Sequence, residues 1–314
     1  MESNLHVPVL LNEVLTGLDI KDNSICVDMT LGRGGHSSEI LKRCPNGHLY
    51  ATDKDDDALE FSRDRLSKIS SNFTLYKGAY SEFPQKLIND GITGVDRILY
   101  DIGVSSPQFD NPERGFSYRY DARLDMRMDL SQKLDAYEVV NTYSYEELKR
   151  IIYEYGEDKN APRIARAIVK QREVKPIETT FELVDVIKSC LPSFVLNKVG
   201  HPAKQTFQAI RYEVNNEREE LINGLVEGIE LLNVGGRLAI ITFNSAEDKI
   251  VKDTFKRYTT SDEPTSRHLP PSLDAKPIKY RLITRKPITA SEEELERNPR
   301  SKPAKLRIIE RIKD

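Results

Sequence analysis

The chain has no tryptophan, and its three cysteines, Cys26, Cys44 and Cys190, form no CxxC pair. One cysteine is left over in any pairing scheme, which argues against a disulfide framework and fits a reducing compartment. No Cys/His cluster has ligand spacing, so no metal is expected. Nowhere does an apolar run approach the about 20 residues of a membrane helix. The stretch from Met1 to His6 lacks the basic segment of a secretory leader, so a soluble cytoplasmic protein is expected. Internal repeats and low-complexity tracts are missing too. Nor is there a bulk basic charge: 47 Lys and Arg against 50 Asp and Glu leave -3, so any nucleic-acid surface must be local. What is present is 314 residues with 38% hydrophobic content, enough for one large globular domain or two ordinary ones.

The most informative stretch is Ser24-Ile-Cys-Val-Asp28-Met-Thr-Leu-Gly32-Arg-Gly34-Gly35-His36-Ser37. An apolar run ending in Asp28 passes into a glycine-rich turn, and Ser37 and Ser38 then cap an amphipathic stretch over 39–43. That pattern predicts strand, tight loop and helix, with the loop where backbone approaches a ligand at the carboxyl end of a strand. Asp53 closes the next apolar run, in the place where a carboxylate takes ribose hydroxyls. A dinucleotide fingerprint would want glycine at 32, 34 and 37, but position 37 is serine. Asp28 at the base of the turn and Asp101 at a later strand end would repel a pyrophosphate. They suit a cationic nucleoside cofactor such as S-adenosylmethionine, and disfavour a nicotinamide-dependent oxidoreductase.

Strands over 48–53, 73–78 and 97–102 alternate with helices over 57–69 and 82–89, which predicts a parallel, doubly wound α/β sheet. A further helical pattern over 9–18 precedes the first strand. Tyr80, just after the third strand, is placed to stack on an adenine. At Asp101-Ile-Gly-Val-Ser-Ser-Pro107-Gln-Phe109 the alternation stops. From 110 to 201 the reading is a helical insertion, with helices over 145–155, 162–171 and 181–190. Residues 159–218 carry eleven Lys and Arg against six Asp and Glu, a local +5 in a chain of net -3. Arg163, Arg166, Lys170, Arg172, Lys175, Lys198 and Lys204 are candidates for phosphate contacts, with a solvated helix face as the plainer reading. The α/β pattern resumes with a helix over 216–232, a strand over 237–243 and a helix over 246–258. A polar loop with Pro264, Pro270 and Pro271 then leads to strands over 279–284 and 305–309.

Taken together, several stretches resemble one family over nearly the whole chain, the RsmH (MraW) methyltransferases. The matching text includes His6-Val-Pro-Val-Leu-Leu-Asn-Glu13, Thr30-Leu-Gly-Arg-Gly-Gly-His-Ser37, Asp101-Ile-Gly-Val-Ser-Ser-Pro-Gln108, Arg114-Gly-Phe-Ser117, Leu124-Asp-Met-Arg-Met-Asp129, His201-Pro-Ala203 and Asn298-Pro-Arg300. The resemblance implies a class I S-adenosylmethionine-dependent methyltransferase, a Rossmann-like doubly wound sheet with its last strand antiparallel and an inserted helical domain. It implies methylation of the exocyclic N4 of a cytidine in the decoding region of bacterial 16S ribosomal RNA, within the small subunit. Its domains would be 1–109, a helical RNA-recognition insertion over 110–201, and 202–314.

Carried over by position, the cofactor contacts fall on Gly34, Gly35, His36, Asp53, Tyr80, Asp101 and Gln108. Ser106-Pro107-Gln108-Phe109 resembles the catalytic turn of base amino-methyltransferases, apart from Gln108 at its second proline. Pro107 would hold Ser106 extended as an acceptor for amino protons, and Phe109 would stack on the target base. His36 has a plainer reading as a cap on the serine-rich backbone. The clearest departure is Asn244, where the family reads histidine; asparagine hydrogen-bonds but carries no proton at neutral pH. That substitution prompts an alternative, a non-enzymatic RNA-binding protein on a degenerate methyltransferase fold.

Overall fold

The computed structural model describes residues 8–197, 199–260 and 277–314. Lys198 and the loop with Pro264, Pro270 and Pro271 lie outside them. The chain forms two compact units, Met1–Gly103 with Glu219–Asp314, and Val104–Arg218.

The first unit begins with α1 (Leu11–Leu18), whose helical spacing buries Val14, Leu15 and Leu18. There follow β1 (Ile25–Asp28), α2 (Gly35–Arg43), β2 (His48–Asp53), α3 (Asp56–Ser67), β3 (Phe73–Lys77), α4 (Phe83–Asn89) and β4 (Val95–Asp101). The second unit carries α5 (Ser106–Asp110), α6 (Ala136–Thr142), α7 (Tyr145–Glu154), α8 (Ala161–Arg172), α9 (Thr180–Cys190), α10 (Ser193–Leu196) and α11 (Lys204–Asn215). Then α12 (Glu217–Glu230) leads back to β5 (Leu232–Thr242), α13 (Ser245–Thr259), β6 (Tyr280–Leu282), α14 (Glu292–Arg297) and β7 (Lys305–Arg311).

The strands form one seven-stranded sheet in the order β3-β2-β1-β4-β5-β7-β6. β1 to β5 pair in parallel, and β7 runs antiparallel to both neighbours, as the resemblance implied. Period-two alternation sorts each strand's side chains between two cores. Cys26, Leu99, Ala239, Ile241 and Ile308 pack with α1, α2 and α3 on one face. Val27, Ile98, Tyr100, Ile240 and Ile309 pack with α4, α12 and α13 on the other. Burial on both faces is why these strands read as near-continuous apolar runs.

The second unit has its own core, built from Leu124, Val139, Leu148, Ile151, Ile164, Ile168, Leu183, Ile187, Phe207 and Ile210 among others. Capping boxes start three of its helices, Ser105 with Gln108 on α5, Ser144 with Glu147 on α7 and Thr179 with Glu182 on α9. Among its described residues no strand forms, only an isolated bridge between Arg123 and Thr179. Its limits correct the expected boundaries at 110 and 201: the unit starts six residues earlier and takes in α11. The helix expected over 216–232 begins after Asn216, whose φ of 53° breaks the run between α11 and α12. β5 starts at Leu232 rather than at 237. No helix of the described residues is long and apolar enough to cross a membrane.

Candidate active site

β1 lies between β2 and β4, so Asp28, Asp53 and Asp101 end three adjacent parallel strands. The strand order reverses here, and the crevice outside such carboxyl ends is where open α/β sheets bind ligands. Between β1 and α2 the turn needs its glycines. Gly34 has φ 67°, and a Cβ there would stand 3.1 Å from Ser62 Oγ; a Cβ on Gly35 would meet Pro8 Cγ at 2.6 Å. Gly34 is the N-cap of α2, which corrects the cap expected at Ser37 and Ser38. Those serines sit inside the first turns, Ser37 Oγ donating to Asp28 Oδ2 at 2.6 Å and Ser38 Oγ to the Gly34 carbonyl at 2.6 Å.

The Asp28 and Asp53 carboxylates are held by backbone or hydroxyl donors, and Asp101 is tied in through its own N–H. Asp28 Oδ1 accepts the Thr30 N–H at 3.1 Å. Asp53 Oδ2 accepts the Gly32 N–H at 2.8 Å and Oδ1 the Asp55 N–H at 2.9 Å, so it ties the glycine loop to the end of β2. Thr30 Oγ1 accepts the Asp101 N–H at 2.6 Å. No lysine or arginine among the described residues forms an ion pair with any of the three. Burial therefore pushes the Asp53 carboxyl up to about 6, against the pull of its two N–H donors. Burial, then the charge of Asp28, pushes Asp101 up to about 7. Asp28 itself is raised by burial. The three carboxyls thus resist ionisation, which a cation bound in the crevice would favour.

His36 reaches beyond the serine-rich turn in which the plainer reading placed it. It is buried in the first turn of α2, with Nε2 3.0 Å from the Val9 carbonyl oxygen and Nδ1 3.5 Å from Asp101 Oδ2. A carbonyl only accepts, so Nε2 carries a proton and Nδ1 faces Asp101. Tyr80 packs edge-on against Tyr100 at 5.6 Å, and a Cβ on Gly224 would come within 2.7 Å of its ring. No motif or spacing in the sequence marks Glu220 on α12. Its Oε1 lies 3.1 Å from Lys54 Nζ and its Oε2 accepts from Ser81 Oγ at 2.6 Å, joining the residues that follow Asp53 and Tyr80. One helix acid so clamps the ends of β2 and β3.

Ser106, Pro107, Gln108 and Phe109 belong to the second unit, and their backbone differs from the expected extended turn. Ser105 is the extended residue, with ψ 152°, and N-caps α5; Ser106 is already helical with Pro107 in the first turn. Gln108 is buried, and its Oε1 accepts the Ser105 N–H at 3.0 Å in a capping box. Proline is tolerated here because the first turn of a helix has no partner for its N–H. Asn244 N-caps α13 through Oδ1 to the Glu247 N–H at 2.9 Å, a position asparagine fills well. Of the basic candidates, Arg172 donates to the Val140 carbonyl at 2.7 Å and also to that of Tyr143, and Lys175 pairs with Glu182 at 2.6 Å, so both have structural partners. Arg163, Arg166, Lys170 and Lys204 are exposed.

The strand order, the antiparallel β7 and the glycine loop at the β1 end define a class I methyltransferase fold. More narrowly, the chain belongs to the MraW methylase family, whose model matches residues 3–312. It is 50% identical over 313 residues to the ribosomal RNA small subunit methyltransferase H of Exiguobacterium sibiricum, covering 98% of this chain and 99% of that one. The protein of the same name from Limosilactobacillus fermentum is 47% identical over 315 residues, with 98% of each chain covered. A putative rRNA methylase structure from Clostridium thermocellum matches at 12% identity and a TM-score of 0.45, over 98% of this chain and 100% of that one, a likeness too distant to carry function. The chain is an S-adenosylmethionine-dependent methyltransferase; the non-enzymatic alternative prompted by Asn244 does not hold.

Proposed function

We propose that the protein methylates the exocyclic N4 of a cytidine in the decoding region of 16S ribosomal RNA, acting in the cytoplasm on the small ribosomal subunit. The observation that carries the cofactor half is the set of strand-end carboxyls at β1, β2 and β4, which have no lysine or arginine partner among the described residues and whose ionisation burial holds back. A ligand bearing sulfonium and ammonium charges supplies what that crevice lacks. When bound, S-adenosylmethionine supplies an electrophilic methyl on a cationic sulfur. Asp53 keeps lone pairs beyond its two N–H bonds for ribose hydroxyls, and Gly34 and Gly35 let backbone come close. His36, Tyr80 and Asp101 line the same strand ends, and the family resemblance assigns Gln108 to the cofactor as well.

The RNA half rests on the names of relatives at about half identity and on the +5 balance of residues 159–218. A cytosine amine is a poor nucleophile because its lone pair is delocalised into the ring. An acceptor for its amino protons and a fixed line of approach to the methyl both help. The Ser106–Phe109 segment is the proposed source: an oxygen of Ser106 as acceptor, Pro107 to stiffen the first turn of α5, and Phe109 to stack on the base. Incubation with labelled S-adenosylmethionine and unmethylated small subunits, followed by nucleoside mass spectrometry, tests it. N4-methylated cytidine in 16S RNA is expected; label in any other nucleoside overturns the proposal.

A further inference from the structure

The second unit carries an aromatic stack that the proposed chemistry does not use. Phe207 is buried in the core and meets Tyr118 edge-on at 5.8 Å; Tyr118 then stacks flat against His201, 4.2 Å away with the planes 10° apart. His201 closes this ladder at the surface, half-buried, with Tyr118 covering one face. Its Nδ1 accepts the Ala203 N–H at 3.3 Å, which leaves the proton on Nε2 and holds the ring in plane. Burial, and then the charges of Lys188 and Arg119, hold its pKa below the usual histidine value. The ring is thus a neutral flat surface beside two exposed cations. Nearby in the chain, Tyr120 is 49% and Phe194 69% exposed, unusual for large rings.

Both flanking charges are positive, so the partner is an anion, and a flat ring anchored to a core aromatic is a shelf for another ring. Single-stranded RNA presents that pair of features, unstacked bases along a phosphate chain. We propose that His201 is a stacking platform for an unpaired base of the RNA substrate, with Arg119 and Lys188 taking the phosphates on either side. This rests on the ribosomal RNA reading above and gives the helical unit a specific contact beyond diffuse charge.

The test uses the whole chain with poly(U) single strands and unmethylated small subunits. His201→Ala should weaken poly(U) binding about tenfold, whereas His201→Phe, which keeps a flat ring, should bind as the wild type does. Because the chain has no tryptophan, His201→Trp installs a sole indole emitter at the platform. Its fluorescence should be quenched by poly(U) and not by duplex RNA, and cofactor affinity should be unchanged in all three variants. Wild-type poly(U) affinity in His201→Ala, or an indole indifferent to poly(U), overturns the platform while subunit methylation by the wild type leaves the RNA reading standing. Parallel loss of RNA and cofactor binding in both the Ala and Phe variants would make the stack a folding element and also overturn it. If the wild type binds neither poly(U) nor subunits, platform and RNA reading fall together.

Discussion

In the helical unit Asp125 meets Arg127 at 2.7 Å, Asp135 meets Arg123 at 2.6 Å and Glu217 meets Arg211 at 2.7 Å, while the strand-end acids of the sheet unit meet no arginine or lysine among the described residues. The consequence appears in their ionisation. Burial works against the Asp125 carboxylate, yet the Arg127 hydrogen bonds outweigh it and its pKa falls; Asp53 and Asp101 rise. The sheet unit is able to pair acids, as Asp248 with Arg307 at 2.7 Å and Glu310 with Arg237 at 2.9 Å demonstrate. At the ends of β1, β2 and β4 none of the described residues supplies an arginine or lysine, although His36 Nδ1 approaches Asp101 Oδ2 at 3.5 Å. Carboxyls whose ionisation is held back at a ligand crevice are the ones a bound cation would favour most.

The sharpest break of this comparison is Asp53→Ala, which removes the tie between the glycine loop and β2 together with the acceptor for ribose hydroxyls. Hydrogen bonds to charged groups are worth about 1.5 to 3 kcal/mol, so S-adenosylmethionine affinity by calorimetry should fall about 10- to 100-fold in a chain that still folds. An unchanged dissociation constant would remove Asp53 from the site. Reversing charge at Arg163 and Arg166 probes the other unit. Subunit affinity should drop about tenfold and its salt dependence flatten, with cofactor affinity untouched. Normal subunit binding across a salt series would make that stretch a solvated face.

Phe109→Ala asks whether the helical unit takes part in the chemistry. Single-turnover methylation should slow about fivefold with cofactor affinity retained, and Ser106→Ala should slow it less. Wild-type rates in both would move the substrate contacts elsewhere. Least disruptive is Glu220→Ala, which releases Lys54 and Ser81 and leaves Asp53 and Tyr80 in place. A partly buried pair of this kind predicts a loss of about threefold in cofactor affinity.

The two units also differ in how far they could be read from sequence. The sheet unit was legible because near-continuous apolar runs end in Asp28, Asp53 and Asp101, and glycines mark the loop that follows. Its misreadings come from local ambiguity: Ser37 and Ser38 look like caps but are helical, and Asn233-Val-Gly-Gly236 disguised the start of β5. The boundary at 103/104 has no composition shift to announce it. α11 and α12 carry compatible helical patterns, so the left-handed Asn216 between them left no signal. Neither the approach of His36 to Asp101 nor that of Glu220 to Lys54 follows from spacing, since each depends on which strands become neighbours.

The claim that a bound cation favours ionisation of the strand-end carboxyls is tested most directly by cofactor affinity against pH. In the folded chain Asp101 keeps its proton up to about 7, whereas an unfolded aspartate releases it near 4. The ligand-free protein therefore loses stability as pH rises between those values, and Asn at 101 should flatten that loss. Binding runs the other way, because a cation favours the ionised form. Calorimetry from about pH 5.5 to about pH 7.5 should show S-adenosylmethionine binding tighten as Asp53 and Asp101 ionise, with a shallower rise in Asp101→Asn. Affinity independent of pH in the wild type, or the same pH profile in Asp101→Asn, would contradict it.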